Sequence, residues 1–300
     1  MSRPILVELA VGEAPSQVSL AEADAIVAAA QDRGVTAVRL VDRAGAQPAV
    51  DPSVVAAHLA GRYPDIGWLI DAPTTHNAPY NLARRILSVD RATGGKVGVT
   101  LLAGNGDEVS DAAAPDPAAT DSAERWAEYA DVVTRLWESF PSTALLGDQQ
   151  RALVVDDTLI RPIDFDGRFY RVAGPLDGPS SVQGRPVLVA TQPAAVGWPR
   201  VAAVADAVIV DANEIDDAAT GLSESLRSLG RGRDQIALLA RTADIHMPSR
   251  ADVDGIVLAL DGGAAVILDA LRGADWPAGP PRRGTLRADL AIPTPEGVPA

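Results

Sequence analysis

The sequence contains no cysteine, which removes disulfides, iron–sulfur clusters and thiolate-ligated zinc from consideration. It fits a reducing cytoplasm, the location expected from composition. Lysine is almost absent too: Lys96 is the one lysine among 26 basic residues, and no polybasic membrane patch is expected. Basic charge is in deficit overall. Forty acidic side chains give a formal net charge of −14, which disfavours a nucleic-acid partner. Aromatics are sparse at 4%, and no apolar run approaches the roughly 20 residues that span a bilayer. Met1-Ser2-Arg3-Pro4 leads into a short strand pattern rather than a secretory h-region. No Gly-x-Gly-x-x-Gly follows a strand, no Gly-x-Ser-x-Gly elbow exists, and no solenoid repeat is found.

What is present is alternation. Short apolar runs at Ile5–Val11, Thr36–Val41, Ile66–Ile70, Val97–Ala103, Pro186–Thr191, Val208–Asp211, Gln235–Arg241 and Gly255–Leu260 read as buried parallel strands. Amphipathic segments lie between them. Ser19-Leu20-Ala21-Glu22 is a capping box, and Asp51-Pro52 opens a second helix. Others are expected over Pro79–Asp90, along Trp126, Tyr129, Val133, Leu136, Trp137 and Phe140, and at Val196–Ala205, Ile215–Leu229 and Gly263–Leu271. A hairpin is expected near Asp164–Tyr170. Eight such units predict one (β/α)₈ TIM barrel over residues 1–300, with a doubly wound sheet as the alternative. Residues 104–120 read as a mobile loop, and the Pro- and Arg-rich tail from Trp276 as a surface wrap.

In a barrel, chemistry belongs to the loops after the strands. That rule selects Asp42, Asp71 to Tyr80, Leu102 to Asn105, Thr191-Gln192, Asp211 to Asn213 and Arg241 to His246. Of three histidines, His58 falls mid-helix, while His76 and His246 fall on mouth loops. With no cysteine or glutamate cluster beside them, no metal site is expected.

Three ordered blocks carry a family resemblance. His76-Asn77-Ala78-Pro79-Tyr80-Asn81-Leu82-Ala83-Arg84-Arg85 is followed by Leu87-Ser88-Val89-Asp90 and Gly94-Gly95-Lys96-Val97-Gly98. The helix through Trp126 ends Leu136-Trp137-Glu138-Ser139-Phe140. Ile163-Asp164-Phe165-Asp166-Gly167-Arg168-Phe169-Tyr170 leads to Gly174-Pro175-Leu176, then Gln183-Gly184-Arg185-Pro186-Val187. With Gly284-Thr285-Leu286-Arg287 in the tail, these resemble the bacterial luciferase-like flavin-dependent monooxygenases, nearest the nitrilotriacetate and dibenzothiophene-sulfone branch.

The resemblance implies a barrel that holds reduced FMN at its C-terminal mouth, or in other branches F420. It also implies a separate flavin reductase, O₂ as co-substrate, a small organic substrate and a homodimer. His76 and Tyr80 become the catalytic candidates, and Asp71, Thr74, Asn77, Thr100, Thr191 and Gln192 the cofactor-binding ones. Three features depart from the family. The strand after Gly95 has Val99, Leu101 and Leu102 where relatives place an asparagine at the flavin. Thr191-Gln192-Pro193-Ala194-Ala195 replaces the Gly-Ser-Ser stretch that receives the FMN phosphate. The insertion that precedes the last strand in relatives is reduced to Thr242–Asp254. The functional alternatives are therefore an FMNH₂-dependent monooxygenase, a barrel without flavin that serves as partner subunit or small-molecule binder, and an F420-dependent oxidoreductase.

Overall fold

A computed structural model describes residues 3–44, 47–104, 114–273, 276 and 284–295. Eight parallel strands close into a barrel: β1 (Ile5–Leu9), β2 (Ala37–Leu40), β3 (Gly67–Pro73), β4 (Val97–Leu102), β5 (Val187–Thr191), β6 (Ala207–Asp211), β7 (Ala237–Thr242) and β8 (Gly255–Leu258). Pairing of Ile5 with Ile256 joins β8 back to β1. These strands are buried on both faces, so each reads as a continuous apolar run rather than an alternating one. The expected TIM barrel is the observed fold. Most of the residues expected in a mobile loop, 105–113, lie outside the described residues.

The crossover helices follow their local signals. In α1 (Leu20–Asp32), the Ser19 hydroxyl accepts from the Glu22 amide and the Glu22 carboxylate accepts from the Ser19 amide at 2.7 Å. Pro52 occupies the first turn of α2 (Pro52–Ala60), capped by Asp51. α3 (Pro79–Ala92) and α4 (Ser122–Glu138) pack together. Trp126 of α4 donates its indole N–H to Leu101 O at 2.9 Å, and Trp137 to Ala83 O at 3.0 Å. The two indoles of the α4 stripe are thus satisfied as well as buried, whereas the buried Tyr129 hydroxyl finds no partner among the described residues. α5 (Trp198–Val204) is preceded by a separate turn, Pro193–Val196, because Gly197 breaks the helix at a φ of 97°. α6 (Ile215–Leu229) and α7 (Gly263–Arg272) complete the ring. Residues 243–254, between β7 and β8, contain no helix.

The tail differs from expectation. Rather than wrapping the surface, residues 284–295 plug the bottom of the barrel. Leu286, Leu290 and Ile292 join the interior cluster of Leu6, Ala37, Leu69 and Val187. A Cβ on Gly67 would meet Leu286 at 2.8 Å, so glycine makes room for the plug. Arg287, only 2% exposed, donates to both Asp206 oxygens at 3.0 and 2.9 Å, and Arg185 adds a third bond at 3.1 Å. Burial opposes charge on Asp206, but the two guanidinium groups outweigh it and hold its pKa below the usual range. Gln183 links this cluster to a second one. Its carbonyl accepts from the Arg287 amide and its amide donates to Asp90 at 2.8 Å. Asp90 also receives the Val97 amide at 2.9 Å and the Ser181 hydroxyl.

Two stability outcomes follow from the plug and its bracing. Leu286→Ala should cost about 2–5 kcal/mol in urea unfolding, because it opens a cavity under the barrel; a loss below about 1 kcal/mol would show the plug to be peripheral. Burial lifts the Asp90 pKa to about 6, above its unfolded value, so the folded state binds this proton more readily. The stabilisation is complete below the unfolded pKa of 3.8 and is lost as pH rises through about 6. Relative to the wild type, Asp90→Asn should flatten the fall in urea midpoint across that window.

Candidate functional site

The inward side chains of the barrel form layers, and the alternation of strand side chains determines which residue reaches which layer. Leu6, Ala37, Leu69, Ile209 and Leu239 fill the apolar interior. Two residues further along the same strands stand Glu8, Arg39, Asp71, Asp211 and Arg241. The top layer is therefore ionic. Arg39 grips Asp71 with two bonds of 2.9 Å and reaches Glu8 at 2.8 Å. Arg241 meets the other Glu8 oxygen at 2.8 Å and Asp211 at 3.2 Å. Charges alternate along the chain Asp211, Arg241, Glu8, Arg39, Asp71.

Burial sets how tightly this ladder is held. Burial works against the charge on Arg39, but Asp71 and Glu8 raise its pKa. Asp71 is shifted the other way: burial raises its pKa from the usual value even though Arg39 opposes that. Burial also opposes charge on Glu8, yet Arg241 and Arg39 together bring it below the usual range. Bidentate guanidinium–carboxylate geometry is what makes such a buried arrangement tolerable.

Above the ladder opens a cavity of about 920 Å³ at the C-terminal mouth. Asp71, His76, Thr191 and Gln192 line it. Both His76 and Gln192 adopt left-handed backbone, with φ of 59° and 50°, so the loops after β3 and β5 enter the mouth through strained residues. The other candidates lie elsewhere. Thr74 and Thr100 are fully buried beneath the mouth; Thr100 is the register neighbour of Asp71 on β4. Asn77 braces its own loop, donating to Pro73 O at 3.3 Å and accepting from Arg85 at 3.2 Å. Tyr80 packs against the core at the start of α3 and does not line the cavity. His246 is exposed on the β7–β8 link, outside the cavity. Among the described residues no group of three potential ligands is placed to hold a metal.

Asp42, Asp211 and Arg241 fall in the strand-end segments that the barrel rule selects, and all three line the mouth. Glu8 and Arg39 are not reached by that rule. Their signal is a charged residue inside an otherwise apolar strand, which must either break the core or find a buried partner.

The family model described as luciferase-like monooxygenase matches residues 5–260. A pristinamycin IIA synthase subunit from Streptomyces pristinaespiralis is 32% identical over 301 residues, covering 99% of this chain and 97% of that protein. The nitrilotriacetate monooxygenase component from Aminobacter aminovorans is 31% identical over 143 residues, covering 47% of this chain and 31% of that protein. The structure of EDTA monooxygenase from a Chelativorans species superposes with a TM-score of 0.66 at 24% identity, covering 80% of this chain and 61% of that one, a likeness of fold. The chain thus spans nearly all of the first of these relatives and about a third to two thirds of the others.

Arg39 provides the test of the ladder. Arg39→Met should cost about 3–5 kcal/mol at neutral pH, because Asp71 and Glu8 are left buried without their partner. The double variant Arg39→Met/Asp71→Leu should recover part of that loss in urea unfolding. Equal losses in the single and double variants would mean that Arg39 acts by packing alone.

Proposed function

The chain belongs to the luciferase-like monooxygenase family, and from that premise we propose that it is one half of a two-chain monooxygenase in which a partner barrel holds the reduced flavin. The observation that carries this reading is the phosphate end of the mouth. FMN needs a cluster of N–H or hydroxyl donors there, because charge-assisted bonds hold its dianion. In the turn after β5, Pro193 has no N–H to give, and the amides of Ala195 and Val196 already donate to the Gln192 carbonyl at 2.9 and 3.2 Å. Ala194 and Ala195 offer no hydroxyl. The lining also carries six carboxylates against three guanidinium groups, which repels a phosphate and, equally, the acidic tail of F420. These residues do not fit FMN.

The pristinamycin IIA synthase relative, which matches this chain end to end, is itself a synthase subunit, and this supports the same reading. A surface for a partner is available. Leu145–Asp148 and Leu153–Val155 form a hairpin that pairs with no other strand among the described residues. Leu145, Leu146, Leu153, Val154 and Leu159 are 38–70% exposed in this segment. Their summed exposed area is on the order of 400 Å², divided between the two faces of the hairpin and close to the apolar share of a standard interface. It lies by the C-terminal end of α4, away from the mouth.

Flavin titration decides the reading. The purified chain should show no saturable change in FMN fluorescence or in anaerobic FMNH₂ absorbance below about 100 μM. Pro193→Ser/Ala194→Ser, which supplies donors, should tighten binding measurably. Tagged in its own cells, the chain should be recovered with a second luciferase-like chain that carries flavin absorbance, and Val154→Asp should release it. Stoichiometric FMN binding by the chain alone at micromolar concentration would overturn the proposal.

A further inference from the structure

The mouth has two unlike halves, and strand order fixes which residues share a half. β4, β5 and β6 are consecutive neighbours in the barrel. Beyond their C-terminal ends the cavity is lined by Leu102, then by Ala194, Ala195 and Trp198, then by Ala218. The centre of the ladder, Glu8, Arg39 and Asp71, stands on β1, β2 and β3 in the other half. The sector where an FMN phosphate would need donors is therefore an apolar wall.

Trp198 is built into that wall at the expense of its neighbour. A Cβ on Gly221 would lie 2.5 Å from the indole Cδ1 and Nε1 atoms, so glycine lets the ring settle against α6. Glycine is the poorest helix former after proline, and Gly221 sits in the middle of α6. Ala218 lies one turn earlier on the same face. The indole remains only partly buried and borders the cavity. A wall of small side chains around one aromatic ring takes another ring by apolar contact and stacking.

A polar group marks the end of the same arc. Thr75 follows β3 and lies beside Gly104, just beyond β4; it is 3% exposed, and no described residue hydrogen-bonds its hydroxyl. A Cβ on Gly104 would fall 2.1 Å from that hydroxyl, so glycine makes the room here too. A buried hydroxyl that borders a cavity without a partner keeps a donor and an acceptor for what enters. Charge narrows the class of ligand further. Six carboxylates against three guanidinium groups repel an anion, whereas an uncharged molecule meets no such repulsion.

We propose that the sector of the mouth beyond β4, β5 and β6 binds an uncharged, ring-bearing organic molecule. Its ring lies against Trp198, Ala194 and Ala195, and an oxygen that it carries bonds the Thr75 hydroxyl. This rests on the two-chain reading, in that it fills the end of the mouth which that reading leaves without flavin.

Three probes with one skeleton provide the test: 2-naphthol, 2-naphthyl phosphate and decahydro-2-naphthol, titrated into the full chain by calorimetry. 2-Naphthol should bind at least about tenfold tighter than the phosphate, and about 2- to 5-fold tighter than the saturated alcohol, which cannot stack. The indole N–H resonance of Trp198, identified by its loss in Trp198→Leu, should shift during the titration while those of the fully buried Trp68, Trp126 and Trp137 stay in place. Trp198→Leu should weaken 2-naphthol about 3- to 10-fold and remove its advantage over the saturated alcohol. Gly221→Ala, which lifts the indole off α6, and Thr75→Val should each weaken it about 2- to 5-fold. Phosphate binding as tight as that of the naphthol, an affinity unchanged by both Trp198→Leu and Gly221→Ala, or no 2-naphthol binding below about 1 mM while FMN is also excluded would overturn the ring site alone. Saturable FMN binding by a chain that still takes 2-naphthol at Trp198 would instead overturn the two-chain reading and leave the ring site standing.

Discussion

The buried Arg39, held between Asp71 and Glu8, is the interaction on which the upper half of this barrel depends. A guanidinium in an apolar strand is intolerable without partners, and its partners come from the strands on either side. Once Glu8 is fixed by Arg39, its second oxygen is free to take Arg241, which in turn takes Asp211. Five strands are thereby tied together at one level by charges whose order is forced: each cation must lie between two anions. The ladder forms the floor of the mouth, and it engages two of the three guanidinium groups that line it.

The lower end of the barrel solves a different problem with similar parts. Strands that shed their side chains into a shared interior leave an opening where the chain enters each strand, and Leu286, Leu290 and Ile292 fill it. The plug comes from a distant part of the chain and needs an anchor, which Asp206 provides by accepting from Arg287 and Arg185. Asp90, Ser181 and Gln183 extend the anchor to the end of α3. The blocks by which the chain resembles its family therefore divide. Gln183-Gly184-Arg185, Asp90 and Leu286-Arg287 build the bottom of the barrel, and Trp126 and Trp137 fasten α4. None of these touches the mouth.

That division explains what was legible. The eight strands are readable because burial on both faces demands unbroken apolar runs, and the helix starts because Ser19, Glu22, Asp51 and Pro52 act within a single turn. The strand-end rule finds the mouth and brings Asp71, His76, Thr191 and Gln192 to it. It misplaces Tyr80 and Asn77 relative to the cavity because a loop that turns into a helix sends some side chains back to the core and some to its own backbone. The ladder escapes such reading because its partners are separated by 31, 32 and 233 residues, and nothing local couples Glu8 to Arg241. The tail escapes it because Pro- and Arg-rich composition suggests solvent, while Leu286, Leu290, Ile292 and Arg287 decide where that segment goes.

Length and charge then take on a different meaning together. At 300 residues the chain is short beside the nitrilotriacetate and EDTA enzymes, but it matches a synthase subunit end to end. Residues 243–254, between β7 and β8, contain no helix, and Pro193 after β5 has no N–H to give to the mouth. A mutation that merely weakened an FMN site would remove contacts and leave the field of the mouth unchanged. Here six carboxylates line the mouth against three guanidinium groups, two of which, Arg39 and Arg241, are bound into the floor.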